Sequence, residues 1–195
     1  MPDIATALGV SRTSVSLWTR DIEVVTGPRR HPVRTGPNRL QRRKSAEIQA
    51  MGRAGTERIG CLSEREFLVA GVALYAGEGC KHDGCVKFTN SDPRMVAFFV
   101  RWLLTFFEID ADRLRVHLYL HEGLDLEGAI DHWVTVTGIP AAQFIKPYRA
   151  VPDPSIRKAK HEMGCASVYY GCSRTHRAIM GLTAALLTSP SGIPG

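Results

Sequence analysis

Apolar positions over residues 63–187 switch between helical spacing and strict alternation, which predicts a domain that mixes helices and strands. A capping box, Ser63-Glu64-Arg65-Glu66, marks the start of the first helix, because the serine hydroxyl and the Glu66 carboxylate can satisfy each other's backbone amides. An Asp-Gly turn signal at 83–84 predicts a hairpin, and Asp92-Pro93 predicts the start of a second helix. The expected elements are, in order, a helix over 63–79, a hairpin over 82–90, a helix over 91–107, a strand over 114–120, a helix over 125–137, strands over 144–148 and 166–170, and a helix over 174–187. The predicted fold class is therefore α+β.

The helix over 63–79 ends by placing one acidic side chain, Glu78, between two glycines. Ala70, Ala73 and Gly77 recur at spacings of three and four, so they form a stripe of small residues where a second helix can approach closely. Glu78 lies on the neighbouring stripe with Phe67, and we expect its carboxylate beside that crossing and away from a solvated flank. The alternative is a core helix closed by a glycine cap, with Glu78 as a solvated end residue.

The end of this helix, Gly77-Glu78-Gly79, resembles the signature motif of the LAGLIDADG homing endonuclease family. Val69-Ala70-Gly71 is similar to the opening of that motif, with two extra residues between the two parts. The resemblance implies an αββαββα domain, here with one added helix. In the family, two such helices pack at a two-fold axis and each acid holds a divalent metal at the scissile phosphates. Glu78 is thereby expected to bind Mg²⁺ and to be catalytic in the cleavage of double-stranded DNA.

The chain contains a single copy of the motif, so the resemblance implies a homodimer that supplies two acids related by a two-fold axis. The stripe of Ala70, Ala73 and Gly77 is then the expected dimer interface. A lysine orients water at the phosphate in many members of the family. Lys146, which lies in an alternating strand pattern, is therefore the second expected catalytic residue.

A second resemblance covers Ile4 to Trp18, which looks like a helix-turn-helix within a module over 1–25. Gly9 is expected in the turn, Ser11 at the cap of the second helix, and Val15 and Trp18 on its inward side. A helical hairpin that serves only for packing is the alternative. The outward residues expected to contact DNA are Arg12, Thr13, Ser16 and Arg20.

The chain holds 25 Lys and Arg against 19 Asp and Glu, a net charge of +6. Thr26 to Lys44 contains seven of these basic residues and no acid. Three prolines prevent a helix before about Asn38, so residues 26–62 are expected to form a basic linker. Such an arm can follow the backbone of duplex DNA, and a solvated tether is the alternative. The basic residues expected at DNA are Arg29, Arg30, Arg42 and Arg43, together with Lys87 and Arg115 on the predicted strands.

Composition indicates a soluble, cytoplasmic protein without a membrane segment. No apolar run reaches the ~18 residues that span a bilayer. Five cysteines, an odd number, suit a reducing compartment. Zinc held by Cys80, His82 and Cys85, or by Cys165 and Cys172, is an alternative to free thiols, although neither spacing is that of a CxxC knuckle. Residues 188–195 are expected to form a flexible tail.

Two functions fit these patterns. The first is a site-specific, metal-dependent DNA endonuclease that acts as a homodimer. The second is a non-catalytic transcriptional regulator on a degenerate LAGLIDADG scaffold, because bacterial sporulation regulators join such a domain to a helix-turn-helix. Glu78 favours the nuclease. The single acid, the loosely matching start of the motif and the lack of a motif around Lys146 favour the regulator.

Overall fold

The computed structural model describes residues 2–20, 36–151 and 161–188. It divides into two compact units, Met1–Arg58 and Ile59–Gly195. The described part contains seven α-helices and a four-stranded sheet, so the predicted α+β class is confirmed. None of the described helices is long and apolar enough to cross a membrane. All five cysteines are free thiols.

The first unit begins with two short helices, α1 (Pro2–Ala7) and α2 (Arg12–Trp18). The turn between them contains Gly9 at a φ of 60°, in the left-handed region that favours glycine. Ser11 caps α2 as predicted, because its hydroxyl accepts a hydrogen bond from the Ser14 amide at 3.1 Å. A helix-turn-helix arrangement of secondary structure is therefore present over these residues.

The side chains of this small unit only partly follow the prediction. Ala5 and Val15 are buried, as expected for residues where two helices touch. Trp18 is 63% exposed, so the prediction that it packs inward is wrong. The reason is size, since α1 is only six residues long and offers too little surface to cover an indole as well as Val15.

A third helix, α3 (Arg39–Ile59), is 21 residues long and contains no buried residue. Its start is capped reciprocally: the Gln41 amide donates to Asn38 Oδ1 at 2.8 Å, and the Asn38 amide donates to Gln41 Oε1 at 2.7 Å. The range predicted as a linker thus includes a long exposed helix that begins just after the last of its prolines.

The second unit is built from four helices and four strands in the part of the chain that the structure describes. In chain order these are α4 (Glu64–Glu78), β1 (Val86–Asn90), α5 (Pro93–Phe106), β2 (Arg115–His121), α6 (Leu126–Thr137), β3 (Phe144–Ala150), β4 (Cys165–Tyr170) and α7 (Ser173–Thr188). The strand order is β1-β4-β2-β3. β4 is antiparallel to both β1 and β2, whereas β3 is parallel to β2. Parallel neighbours need a crossover, which α6 provides.

Local signals set the starts of the first two helices of this unit. The capping box is present, since the Ser63 amide donates to Glu66 Oε2 at 2.7 Å and the Glu66 amide donates to Ser63 Oγ at 3.3 Å. Asp92 caps α5 by accepting from the Arg94 amide at 2.9 Å. Both helix starts are therefore confirmed at the predicted residues.

Helices α4, α5 and α7 cover one face of the sheet, and the core of this unit lies between the two layers. Phe88 of β1 stacks on Phe99 of α5, with ring centroids 4.6 Å apart. Trp102 lies across Gly71 of α4, where an added Cβ would be 2.0 Å from Trp102 Cδ1. Its indole N–H donates to the Leu68 carbonyl at 3.1 Å. The close approach to α4 within one chain is thus at Gly71, on a different face from the predicted stripe of small residues.

Candidate nucleic-acid interface

The face of the sheet opposite the helices is open to solvent and is formed by alternate residues of the strands. In β2, Val116, Leu118 and Leu120 are buried, so the residues between them point away from the core. The strand registers align Lys87, Tyr169 and Arg115 in one row and pair Tyr119 with Tyr148 in another. We call this surface the open face and define it by Lys87, Thr89, Arg115, His117, Tyr119, His121, Tyr148 and Tyr169. Ser167 lies on the same side of β4 but is buried, with its hydroxyl 2.6 Å from the Thr89 hydroxyl.

The strands carry basic residues and no acid. Their described sequences contain Lys87, Arg115, Lys146 and Arg149 but no Asp or Glu. Positive side chains without interspersed carboxylates create a positive potential over a surface. Lys87 and Arg115 are the two that lie on the open face, whereas Arg149 is the register partner of buried Leu120 and donates to the Leu124 carbonyl at 3.1 Å. Through Lys87 and Arg115 the open face is suited to a polyanion such as the phosphate backbone of DNA.

The two predicted DNA contacts on the open face differ in how firmly they are held. One nitrogen of the Arg115 guanidinium is held in place, because Nη1 donates to the Asp112 carbonyl at 2.6 Å and to the Leu114 carbonyl at 2.7 Å. Its other nitrogens face no carboxylate in the described part of the chain. The Lys87 side chain is exposed, and its ammonium makes no hydrogen bond or ion pair with the described residues. One placed guanidinium and one free ammonium thus lie in the same cross-strand row.

Glu78 is the last residue of α4 and lies beside the edge of the sheet formed by β1. It is exposed, and its carboxylate makes no hydrogen bond or ion pair with the described residues. The prediction that this carboxylate lies away from solvent is wrong for a single chain, because α4 ends there and no described element covers it. Lys81 Nζ caps the helix end instead, by donating to the Tyr75 carbonyl at 2.9 Å and to the Gly79 carbonyl.

Gly79 is required by packing within the chain. A Cβ at this position would lie 2.4 Å from Cδ2 of the Tyr75 ring. The Tyr75 hydroxyl donates to the Cys80 carbonyl at 2.8 Å, and burial raises the pKa of Tyr75 to about 12, so it remains a neutral donor. The space beside Gly79 is therefore filled by this ring and is not open to a ligand.

The predicted hairpin is reduced to one strand and a bridge. Its second arm is β1, whereas its first arm is the single bridge between Gly79 and Phe88, with the Cys80 amide donating to the Lys87 carbonyl at 2.8 Å. The first arm is short because α4 continues to Glu78 and the turn follows almost at once. The hairpin prediction is therefore correct for the turn and for β1 but wrong for a full first strand.

The turn is clamped by α7 through residues that sequence reasoning missed. Arg177 Nε donates to Asp83 Oδ1 at 3.1 Å, and this hydrogen bond holds the pKa of Asp83 below its usual range. His176 is buried, with Nε2 3.2 Å from the Cys80 carbonyl and Nδ1 3.5 Å from Asp83 Oδ1. The two elements are about half the chain apart in sequence, so no local pattern indicates the clamp.

Lys146 lies far from Glu78. It is on β3, which is one edge of the sheet, while α4 ends beside β1 at the other edge. Three strand spacings of about 4.8 Å separate these edges by roughly 14 Å. One chain therefore does not bring the two predicted catalytic side chains into one site.

The predicted dimer stripe is accessible on α4. Ala73 and Gly77 are exposed, and Ala70 is half-buried. A Cβ added at Gly77 would meet no atom within 4 Å. These positions leave room for a second helix, and the interface itself stays a prediction.

The predicted DNA contacts of the first unit are solvent-accessible where they are described. Arg12, Thr13, Ser16 and Arg20 are all exposed on or next to α2. Arg42 and Arg43 are exposed on α3, where Arg42 Nε donates to the Pro37 carbonyl at 3.0 Å. Arg29 and Arg30 lie outside the described residues.

Potential metal ligands do not cluster in the segments that the structure describes. There, no group of three or more His, Cys, Asp or Glu side chains is arranged to hold an ion. Cys80, His82 and Cys85 thus do not assemble a zinc site, and neither do Cys165 and Cys172 with other ligands. In the described segments Glu78 is likewise not part of a group of three or more potential metal ligands.

Comparisons with known proteins provide no family for this chain. No protein-family model matches it, and no curated protein matches it. The two resemblances, each carried by a short motif, therefore stay predictions.

Proposed function

We propose that this protein binds double-stranded DNA, with a LAGLIDADG-type domain in its second unit and a helix-turn-helix in its first. The observation that carries the proposal is the open face, where Lys87 and Arg115 share one row of a sheet whose described strands hold no acid. Duplex DNA carries one negative charge per about 1.7 Å of its axis, so a basic surface without carboxylates attracts it in a salt-dependent way.

The order of elements supports the LAGLIDADG assignment. α4 is followed by the bridge at Gly79 and by β1, then by α5, β2, β4 and α7. This is the order αββαββα when α6 and β3 are treated as an insertion between β2 and β4. The one added helix that the sequence suggests then corresponds to α6, and the parallel edge strand β3 belongs to the same insertion.

The two units would contact different parts of the DNA, the first unit its base edges and the second its phosphates. Arg12, Thr13 and Ser16 are exposed on α2 and have the hydrogen-bonding groups that read base edges in the major groove. Lys87 and Arg115 would contact phosphates, which position a protein on the duplex without reading its sequence. Sequence preference is therefore assigned to the first unit and much of the salt-dependent affinity to the second.

The activity that we propose is metal-dependent DNA cleavage by a homodimer. Mg²⁺ usually takes one or two carboxylates and fills its other positions with phosphate oxygens and water. Glu78 fits this role because it is exposed and unpartnered in the described part of the chain, and a second copy packed along Ala73 and Gly77 would bring a second Glu78. Mg²⁺ bound there would supply Lewis-acid activation of the phosphate and of water.

A second candidate is a DNA-binding regulator that does not cleave. The position of Lys146 favours it, because this lysine is at the opposite edge of the sheet from Glu78 and cannot assist it in the same chain. A scaffold under no catalytic demand needs only the helix packing and the basic surface. Both candidates share DNA binding and differ in the role of Glu78.

The deciding experiment incubates the purified full chain with a library of random duplexes and Mg²⁺ and scores both retention and nicking. We expect retained duplexes to share a sequence and to be cut. Glu78→Gln should bind the same sequence without cutting it, because a neutral carboxamide is a poor ligand for Mg²⁺. Glu64→Gln, which changes the same charge at the exposed start of α4, should cut normally.

Three results would change the conclusion. Binding of a preferred sequence without nicking in Mg²⁺ or Mn²⁺ would leave the regulator as the function. Undiminished cutting by Glu78→Gln would remove Glu78 from the site. Retention of no duplex at low salt would overturn DNA binding itself.

A further inference from the structure

Two tyrosines form an exposed aromatic pair on the open face. Tyr119 of β2 and Tyr148 of β3 are register partners, and their rings stack with centroids 5.3 Å apart and planes inclined by 22°. Tyr119 is 41% exposed and Tyr148 is 56% exposed. The His121 ring meets Tyr119 edge-on, with centroids 5.6 Å apart. We call these three residues the aromatic platform.

Packing within the chain does not explain the platform. Both tyrosines lie outside the buried core, on the side of β2 opposite Leu118 and Leu120. Neither phenol hydroxyl makes a hydrogen bond to the described part of the chain. The rings therefore present apolar area to water, and a ligand that covers them would gain from its burial.

The charged residues of the strands indicate which kind of ligand the aromatic platform would bind. Lys146 is exposed two residues before Tyr148 on β3, and Arg115 lies four residues before Tyr119 on β2. The four described strands hold no carboxylate, and Glu122 follows directly after β2, so the strands themselves favour an anionic partner. Proteins bind unpaired bases with exposed rings on a surface that also carries cations, since every base has a face that can stack and the cations hold the backbone. In an intact duplex those faces are covered by neighbouring base pairs.

We infer that the aromatic platform binds an unpaired base of DNA by stacking on Tyr148, so that the preferred substrate has a single-stranded gap or an extruded base within duplex DNA. This inference rests on the proposed DNA binding of the open face and extends it to the state of the substrate. Tyr148 is the more exposed ring of the pair and provides the free face, while Tyr119 supports it from the other side.

The test compares the full chain on a continuous duplex and on the same duplex with a short gap that contains 2-aminopurine. The wild type should bind the gapped DNA more tightly and should quench the 2-aminopurine fluorescence through stacking. Tyr148→Leu should weaken binding to the gapped DNA by about 5- to 100-fold with little change on the continuous duplex. Tyr148→Phe, which retains the ring, should behave as the wild type does.

The outcomes separate this inference from the proposed function. Equal affinity for the two DNAs, or equal loss in the Leu and Phe variants, would overturn stacking on Tyr148 and leave duplex binding intact. Absence of binding to either DNA at low salt would overturn both. Tyr148→Phe retains the stacked pair and should keep the wild-type unfolding midpoint, whereas Tyr148→Leu loses the pair and should lower the midpoint slightly. Thermal unfolding verifies that the Leu variant is fully folded at the temperature of the binding assay, so that its loss of binding is not a folding defect.

Discussion

The same strands form both faces of the sheet, and one face is buried against the helices while the other is exposed to solvent. In β1, Val86 and Phe88 are fully buried against the helices, while Lys87 between them is exposed on the open face. In β2, Val116 and Leu118 are buried, and Arg115 points the other way. Adjacent residues thus lie in opposite environments.

With the proposed DNA binding by the open face, this alternation predicts that stability and recognition depend on different residues of the same strand. Variants on the helix side should change the free energy of unfolding and leave DNA binding intact in the fraction that folds. Variants on the open face should do the reverse. A residue whose variant changes both, or neither, would show where the division fails.

The largest effect is expected for Phe88→Ala. Phe88 is fully buried and stacks on Phe99, and removal of such a ring costs about 3–5 kcal/mol through lost burial and the cavity left behind. Lys87→Ala, one residue away, should change the free energy of unfolding by no more than about 0.5 kcal/mol. Denaturant titration of both variants measures the difference, and similar losses in the two would refute the separation of the faces.

The same division applies to the faces of α4, where we expect Gly71→Ala to have the next largest effect. The added methyl would overlap the Trp102 indole, and overpacking of this kind costs about 1–3 kcal/mol. Gly77→Ala meets no atom within 4 Å and should stabilise a single chain, because alanine is the better helix former.

In a homodimer the Gly77 variant has a second consequence. A methyl in the proposed interface should weaken association, so sedimentation should show more monomer for Gly77→Ala than for the wild type. A wild type that sediments as a monomer at all concentrations would reject the dimer, and an unchanged dimer in the variant would place the interface elsewhere.

Signals that act within a few residues were predictable from the sequence. The Ser63–Glu66 capping box, the Ser11 and Asp92 caps and the turn at Gly84 each depend on side chains and amides at most three residues apart. Periodicity also predicted the strand at β2 and the helix at α6. These features need no knowledge of the partner element.

Features that depend on distant partners were not predictable. The parallel pairing of β3, and with it the place of Lys146 at the far edge, follows from the α6 crossover and not from the pattern of β3 itself. Sequence spacing identified the small stripe on α4 but could not indicate that Trp102 lies against Gly71. The exposure of Trp18 likewise depends on how much surface α1 supplies.

On the open face, Lys87→Ala combined with Arg115→Ala should reduce the dependence of DNA affinity on salt. Each lost phosphate contact lowers the slope of log affinity against log salt by about 1, so the pair should lower it by about 2, equally for all sequences. Arg65→Ala, on the exposed start of α4, removes a charge elsewhere and should leave the slope unchanged. A slope that falls equally in this control would mean that the open face is not the binding surface.

The smallest effect concerns the clamp that joins the turn after Glu78 to α7. The hydrogen bond from Arg177 lowers the pKa of Asp83 in the folded state. Ionised Asp83 therefore stabilises the fold at pH values above its unfolded pKa of about 3.9. This stabilisation is lost as the pH falls through the lower pKa of the folded state. Asp83→Asn should therefore lower the unfolding midpoint at pH 7, and the difference from the wild type should shrink as the solution becomes more acidic than the unfolded pKa. Asp131→Asn, at an exposed position on α6, should match the wild type throughout. A difference for Asp83→Asn that is absent at neutral pH, or that persists unchanged in strong acid, would show that the carboxylate does not hold the turn through its charge.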